Sequence, residues 1–291
     1  LQPKSFVEQA IARTLSIENA KLWFNCNPEN PDHWFKKEWI DEQRDKVKVM
    51  HFLMQDNPIM TKEKIEKAEK MYTGVFYDRY IKGLWCRAEG LIYQYFADNK
   101  EKFYCKKEDL EKDKDGKYVF SHINIGLDWG GNGSRHALQL TGINKTDLYF
   151  LKSKCIDAKG VTPDDMYKQM VEFIEECLLE FGRIDCIYAD SAEQTLINGL
   201  RARVRIPVKN ALKGEIINRI RATNIMMSIG KLHILKDNCQ DLISFFLNAV
   251  YDEKKQKDTR LDDGSYNNDI GDASEYSWEP FINILIKYVG A

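Results

Sequence analysis

Residues 123–131, Ile-Asn-Ile-Gly-Leu-Asp-Trp-Gly-Gly, constrain the fold more than any other stretch of the chain. Ile123, Ile125 and Leu127 recur with the period of two that marks a half-buried strand. Asp128 stands where that strand gives way to glycines, so its carboxylate can face a cleft without being buried. A second apolar run, Arg183-Ile-Asp-Cys-Ile-Tyr-Ala-Asp, also ends in an aspartate, Asp190. Much later, Asn267-Asn-Asp-Ile-Gly-Asp-Ala-Ser-Glu-Tyr opens a predicted helix bearing Asp269 and Asp272. Carboxylates from separate elements, gathered at the end of a sheet, are what hard divalent cations require.

From residue 121 the elements follow in order. Strands at 123–128, 136–143 and 148–156 have short connections, the second through Asn144-Lys-Thr-Asp147, and predict an antiparallel meander. Thr162 as N-cap, Pro163 in the first turn and Asp165 three residues on start a helix. Met166, Met170, Phe173, Ile174, Cys177, Leu178 and Phe181 keep its 3.6-residue period, and Gly182 stops it. Next come a strand at 184–189, a helix from Ser191 to Arg201, a short strand from Ile206 to Lys209, a helix from Glu215 to Met227 and a strand at 231–235. Asn238 is then expected to cap a helix with Leu242, Phe245 and Phe246 on one face. An α/β fold results, a mixed sheet with helices on both faces.

The first 120 residues read differently. An amphipathic segment around Phe6, Ile11 and Leu15 precedes a short apolar strand at 20–25 and a loop rich in proline and asparagine. Asp32 is expected to cap a helix carrying Trp34, Phe35 and Trp39, a strand follows at 47–53, and Thr61 caps a charged helix running towards Tyr72. Asn25 and Asn27 read either as phosphate sensors or, more simply, as amides that stabilise a loop. Residues 99–117 are dominated by Lys, Glu and Asp and predict a solvated connector. The expected division is a domain over 1–88, a linker over 89–120 and a second domain over 121–291.

Composition excludes several classes. A chain of 291 residues holds one large domain or two small ones. No run approaches the roughly 18 apolar residues of a membrane span, and no signal pattern opens the chain, so a cytosolic protein is expected. Seven cysteines without any C-x-x-C pair read as reduced core residues, and the five histidines lack zinc-ligand spacing. With a net charge of −2, a nucleic-acid surface has to be a local patch. No Gly-x-x-x-x-Gly-Lys-Ser/Thr loop occurs, so the chain cannot hold a nucleotide in that way by itself.

The chemistry rests on Asp128, Asp190 and Asp272. Neighbouring strand ends lie about 5 Å apart, which lets Asp128 and Asp190 share an ion. Two Mg²⁺ or Mn²⁺ ions about 4 Å apart activate water and stabilise the leaving oxygen of a phosphodiester. Asp269 shares a helix face with Asp272 and can complete the coordination of the second metal, although alone it reads better as an N-cap. A lone aspartate at a strand end is also commonly a turn residue. Between residues 201 and 221, Arg201, Arg203, Arg205, Lys209, Lys213 and two further arginines face only Glu215. Either this is a solvated run, the reading that suits Arg219 and Arg221, or Arg205, Lys209 and Lys213 form a phosphate-contacting rim beside the cluster. The polar stretch 251–268 reads as a loop bordering the cleft or as a surface excursion.

These residues resemble a known family. Gly126-Leu-Asp-Trp-Gly, Tyr188-Ala-Asp190-Ser and Asn268-Asp-Ile-Gly-Asp272-Ala-Ser-Glu-Tyr are similar to the three acidic motifs of the nuclease domain of the large terminase subunit of tailed bacteriophages. Phe24-Asn-Cys-Asn-Pro-Glu-Asn-Pro-Asp-His-Trp resembles the segment after Walker B that couples ATP hydrolysis to DNA movement. Asp56-Asn-Pro and Tyr80-Ile-Lys-Gly-Leu-Trp-Cys resemble the end of the packaging ATPase domain. The resemblance implies a ribonuclease H-like nuclease, preceded by a partial P-loop ATPase domain, that cuts concatemeric viral DNA with two divalent metals. Asp128, Asp190 and Asp272 would be metal ligands, and Lys209-Asn-Ala-Leu-Lys-Gly214 the basic segment near the cleft. Double-stranded DNA, a portal protein and a small terminase subunit are the implied partners, in the cytoplasm of an infected bacterium. Asp269 departs from relatives that carry histidine there. The missing Walker segments imply a C-terminal fragment without ATPase activity of its own. Rival readings are a docking module of the motor with an inactive nuclease site, and another ribonuclease H-like nuclease such as a resolvase or transposase.

Overall fold

Alternation at Ile123, Ile125 and Leu127 becomes a strand because there is a strand on each side to pair with it. The computed structural model describes residues 4–31, 33–42, 47–131, 134–255 and 257–286. Its sheet is built from β1 (Tyr104–Cys105), β2 (His122–Asp128), β3 (Arg135–Asn144), β4 (Asp147–Asp157), β5 (Cys186–Ala189), β6 (Val208–Asn210) and β7 (Leu232–Leu235), in the order β1-β7-β4-β3-β2-β5-β6. The meander β2-β3-β4 is antiparallel, and the remaining pairs are parallel.

Contacts divide the chain into two units, Leu1–Glu89 with Asp252–Asp258, and Gly90–Tyr251 with Thr259–Ala291. The first contains α1 (Lys4–Thr14), a π-helical turn at Lys36–Asp41, α2 (Lys62–Met71) and α3 (Gly74–Tyr80). Thr61 caps α2 as expected, its hydroxyl accepting from the Lys64 amide. The two strands expected at 20–25 and 47–53 are absent. Neither run forms a ladder, since no strand lies beside it among the described residues. Their side chains accordingly stay in solvent, Trp23 at 76% and Phe52 at 70% exposure. The expected cap Asp32 lies outside the described residues. Inside this unit Arg79 is buried, donating to the Asp258 carboxylate and to the Cys86 carbonyl.

The second unit holds the sheet and its helices: α4 (Gln94–Asn99), α5 (Pro163–Phe181), α6 (Gln194–Arg201), α7 (Ile216–Ser228), α8 (Gln240–Asn248), α9 (Asn268–Trp278) and α10 (Ile282–Leu285). Thr162 caps α5 through the Asp165 amide, and Gly182 ends it at φ 83°, a left-handed conformation that glycine adopts without a steric penalty. Met170, Phe173 and Ile174 of α5 share one hydrophobic core with Ile123, Ile125 and Leu127. The opposite face of β2 therefore presents Gly126 and Asp128. There α9 lies so close that a Cβ on Gly126 would stand 1.8 Å from the Ala273 carbonyl oxygen. Within 89–120, Tyr93, Phe96 and Phe103 are buried and β1 joins the sheet beside β7. Asn238 does not cap α8. Its amide donates to the Leu151 carbonyl instead, and α8 starts after Cys239. All seven cysteines are free thiols.

Candidate functional site

Parallel pairing of β2 and β5 sets Leu127 opposite Ala189, so the next residue of each strand is an aspartate at the same sheet end. The Asp190 amide continues the ladder, donating to the Leu127 carbonyl at 2.9 Å. Trp129 locks the junction, its indole N–H donating to the Asp190 carbonyl at 3.1 Å. Because Gly126 admits the α9 backbone at Ala273, the preceding residue, Asp272, reaches the same region. Asp269 sits one turn earlier and accepts from the Arg135 amide at 2.7 Å. The helix N-cap is Asn267, accepting from the Asp269 amide, so the cap role open to Asp269 falls to its neighbour.

Asp128 is not the unburied carboxylate expected at a strand end: it is 8% exposed, because α9 packs against this face of β2. Burial, then the negative charges of Asp272, Asp269 and Asp190, pushes its carboxyl up to about 9. At neutral pH it is therefore protonated and hydrogen-bonded to Asp190. Asp269 is raised as well, by burial first. The Tyr276 hydroxyl is raised by burial and then by Asp272, Asp128 and Asp190. Separate groups thus register one local concentration of negative charge.

Protein cations answer it. Lys213 donates to Asp190 Oδ1 at 2.8 Å, and the Ala192 amide donates to the same oxygen at 2.9 Å. Burial alone would raise the Asp190 carboxyl, but these donors outweigh it and hold the group below its usual range. Arg219 donates to Asp272 Oδ1 at 2.8 Å, and Arg260 to the same oxygen at 3.1 Å. The solvated-surface reading of Arg219 is thereby corrected: it is 7% exposed. Its helix buries Ile220, Ala222, Ile225 and Met226, which leaves little of α7 facing water. Arg260, from the polar stretch 251–268, is 3% exposed and was missed, as was Glu275, which joins both arginines. Lys209 is exposed on β6 opposite Tyr188, two residues before Asp190. Arg205 is exposed on the loop before β6, and no ion pair joins it to the carboxylates among the described residues.

As they stand, no three His, Cys, Asp or Glu side chains among the described residues form a group able to hold a metal ion. Each carboxylate has a partner of its own: Asp190 has Lys213, Asp272 two arginines, Asp269 a backbone amide, and Asp128 shares a hydrogen bond with Asp190. The donor chemistry, all carboxylate oxygen and crowded with like charge, nonetheless suits a hard divalent cation.

A family model described as phage terminase large subunit matches residues 5–82. The large terminase from a thermophilic bacteriophage, solved in complex with ATP-γ-S, is 29% identical with a TM-score of 0.77, over 97% of this chain and 67% of that one. The same protein in complex with ADP is 30% identical with a TM-score of 0.76, over 97% and 66%. The chain thus spans about two thirds of the length of this solved relative. The large terminase nuclease domain from bacteriophage SPP1 with bound Mn is 18% identical over 61% of this chain and 94% of that one, at a TM-score of 0.44 too low to build on. No curated protein matches the chain.

Proposed function

We infer, since the chain belongs to the phage large terminase family, that its second unit is a metal-dependent endonuclease cutting double-stranded viral DNA concatemers during packaging. On this reading residues 1–88 end the packaging ATPase domain, 89–120 link it onward and 121–291 form a ribonuclease H-like nuclease. The observation that carries it is geometric: β2 and β5 end side by side in Asp128 and Asp190, and α9 is seated against Gly126 so that Asp272 joins them, which together with burial raises the Asp128 carboxyl. Asp128, Asp190 and Asp272 would bind two divalent cations, Mg²⁺ or Mn²⁺, with Asp269 alongside. When bound, these supply a water acidic enough to attack the phosphodiester and stabilise the departing oxygen. Asp128 would serve as a ligand in its ionised form. Lys213 would leave Asp190 and, with Lys209 and Arg205, seat the DNA backbone. A portal protein and a small terminase subunit would be the protein partners, in the cytoplasm of the infected host.

Incubating the chain with supercoiled plasmid and Mn²⁺ tests the reading. Nicking is expected, and Asp128→Ala should reduce it by at least about 100-fold, as expected for loss of a group that holds transition-state charge. Cutting that survives Asp128→Ala would remove Asp128 from the reaction. A second reading is favoured by one observation, that each carboxylate already has a partner within the protein: a DNA- or portal-docking module with an inactive nuclease site. DNA binding without cutting in any divalent metal would establish it.

A further inference from the structure

Two arginines from different parts of the chain meet one oxygen of Asp272. Arg219 reaches it from α7 and Arg260 from the stretch between Tyr251 and α9. Burying a guanidinium costs several kcal/mol unless it is closely paired, and both side chains are almost fully covered. Glu275, one helical turn beyond Asp272, completes the pairing. Arg219 donates to its Oε2 at 2.6 Å, and Arg260 donates to its Oε1. Arg260 also donates to the Tyr93 hydroxyl at 3.3 Å. Two cations and two anions close a neutral cage.

Every hydrogen bond found for Asp272 among the described residues falls on Oδ1, so Oδ2 keeps its lone pairs. Arg219 makes a further link. Its Nε donates to the Gly214 carbonyl at 3.2 Å, while the Gly214 amide donates to Glu279 Oε1 at 2.8 Å. Gly214 is thus held on both sides, next to Lys213, whose φ of 53° lies in the left-handed region. A lysine keeps such a backbone only where its surroundings over-determine it. One guanidinium therefore restrains both Asp272 and the loop that delivers Lys213 to Asp190.

We propose that Arg219 and Arg260 are positioning residues of the cation site, fixing Asp272 by one oxygen so that the other is presented for a divalent ion. This rests on the reading of Asp272 as a ligand. It requires the planar fork of arginine, because Arg219 divides Nη1 and Nε between the carboxylates and the Gly214 carbonyl and Arg260 divides two nitrogens between the carboxylates; lysine keeps the charge and loses that geometry.

Mn²⁺ binding to the full chain, followed by calorimetry and electron paramagnetic resonance, decides the matter without reference to cutting. Arg219→Lys and Arg260→Lys should each weaken at least one Mn²⁺ by about 10- to 100-fold, the usual cost of losing a ligand's supporting partner. In an Asp272→Ala background Arg260→Lys, which has no link to the Lys213 loop, should weaken binding no further. Unchanged affinity in the folded Lys variants overturns the proposal, as does an equal loss with Asp272 already gone. Should the Lys variants not fold, Tyr93→Phe removes only a hydroxyl contact to Arg260 and should still lower affinity a few-fold; no change overturns the proposal. Wild-type protein that binds no Mn²⁺ overturns the metal reading together with this one. Wild-type binding matched by both Lys variants, but weakened in Asp272→Ala, overturns this one alone.

Discussion

The run Ile123–Leu127 and the run Leu22–Phe24 are both short, apolar and bounded by polar residues, yet only the first is a strand. The difference lies beside them. β2 has β3 on one side and β5 on the other, so its backbone finds partners along both edges and Ile125 and Leu127 are fully buried. Residues 20–25, like 47–53, have no neighbouring strand among the described residues, and their large side chains face water. A strand is a property of a pair, and apolar alternation states only that one side is suited to it. What pairing adds in the second unit is position, because it places Asp128 and Asp190 at adjacent strand ends.

The largest effect should come from the contact that adds the third carboxylate. At Gly126 a Cβ would overlap the Ala273 carbonyl oxygen, which is backbone and cannot rotate away. Gly126→Ala should therefore cost about 3 kcal/mol or more by forcing α9 off the sheet. Denaturant melts of the second unit would show it as a lowered midpoint. A loss under about 1 kcal/mol would mean that α9 is not seated there, and that Asp272 reaches Asp128 by some other route.

Crowding of strand ends should also appear as a pH dependence. The folded-state pKa of Asp128 is raised from 3.8 to about 9. A raised carboxyl contributes stability that is complete below its unfolded value and is lost as pH rises through the folded one. In EDTA the fold should accordingly weaken between about pH 4 and pH 9, with a slope of at most about 1.4 kcal/mol per pH unit for this proton. Asp269 and Glu275 are raised too, burial being the first cause for each, and Asp190 is lowered, so the wild-type slope alone does not isolate Asp128. The difference between wild type and Asp128→Asn does. Parallel curves of melting temperature against pH would show that Asp128 ionises normally and that the strand ends do not crowd it.

Much of the second unit was legible because its signals are local. Thr162, Pro163 and Gly182 bracket α5 by capping chemistry that involves only their own neighbours. Asn144 to Asp147 turns the chain within a few residues, and β3 and β4 follow. Asp128 and Asp190 could be paired on paper since both end apolar runs. Arg260 and Glu275 could not, because a buried ion pair has no period, and a lone arginine between Thr259 and Leu261 looks like its solvated neighbours. Asn238 misled for a related reason: a good cap residue was taken by the Leu151 carbonyl, which a linear reading cannot see. The first unit's expected strands failed because the pattern names one member of a pair and is silent on the other.

The smallest effect tests that last point directly. If residues 20–25 and 47–53 were packed strands, removing an aromatic ring from either would cost about 3–5 kcal/mol, as in any core. Here Trp23 and Phe52 have most of their surface in water already, so Trp23→Ser and Phe52→Ser forfeit almost no burial. Each should change stability by no more than about 0.5 kcal/mol, leaving the melting curve where it was. A loss of several kcal/mol would show that these runs are covered in solution, and the contrast between an alternation that found its partners and one that did not would disappear.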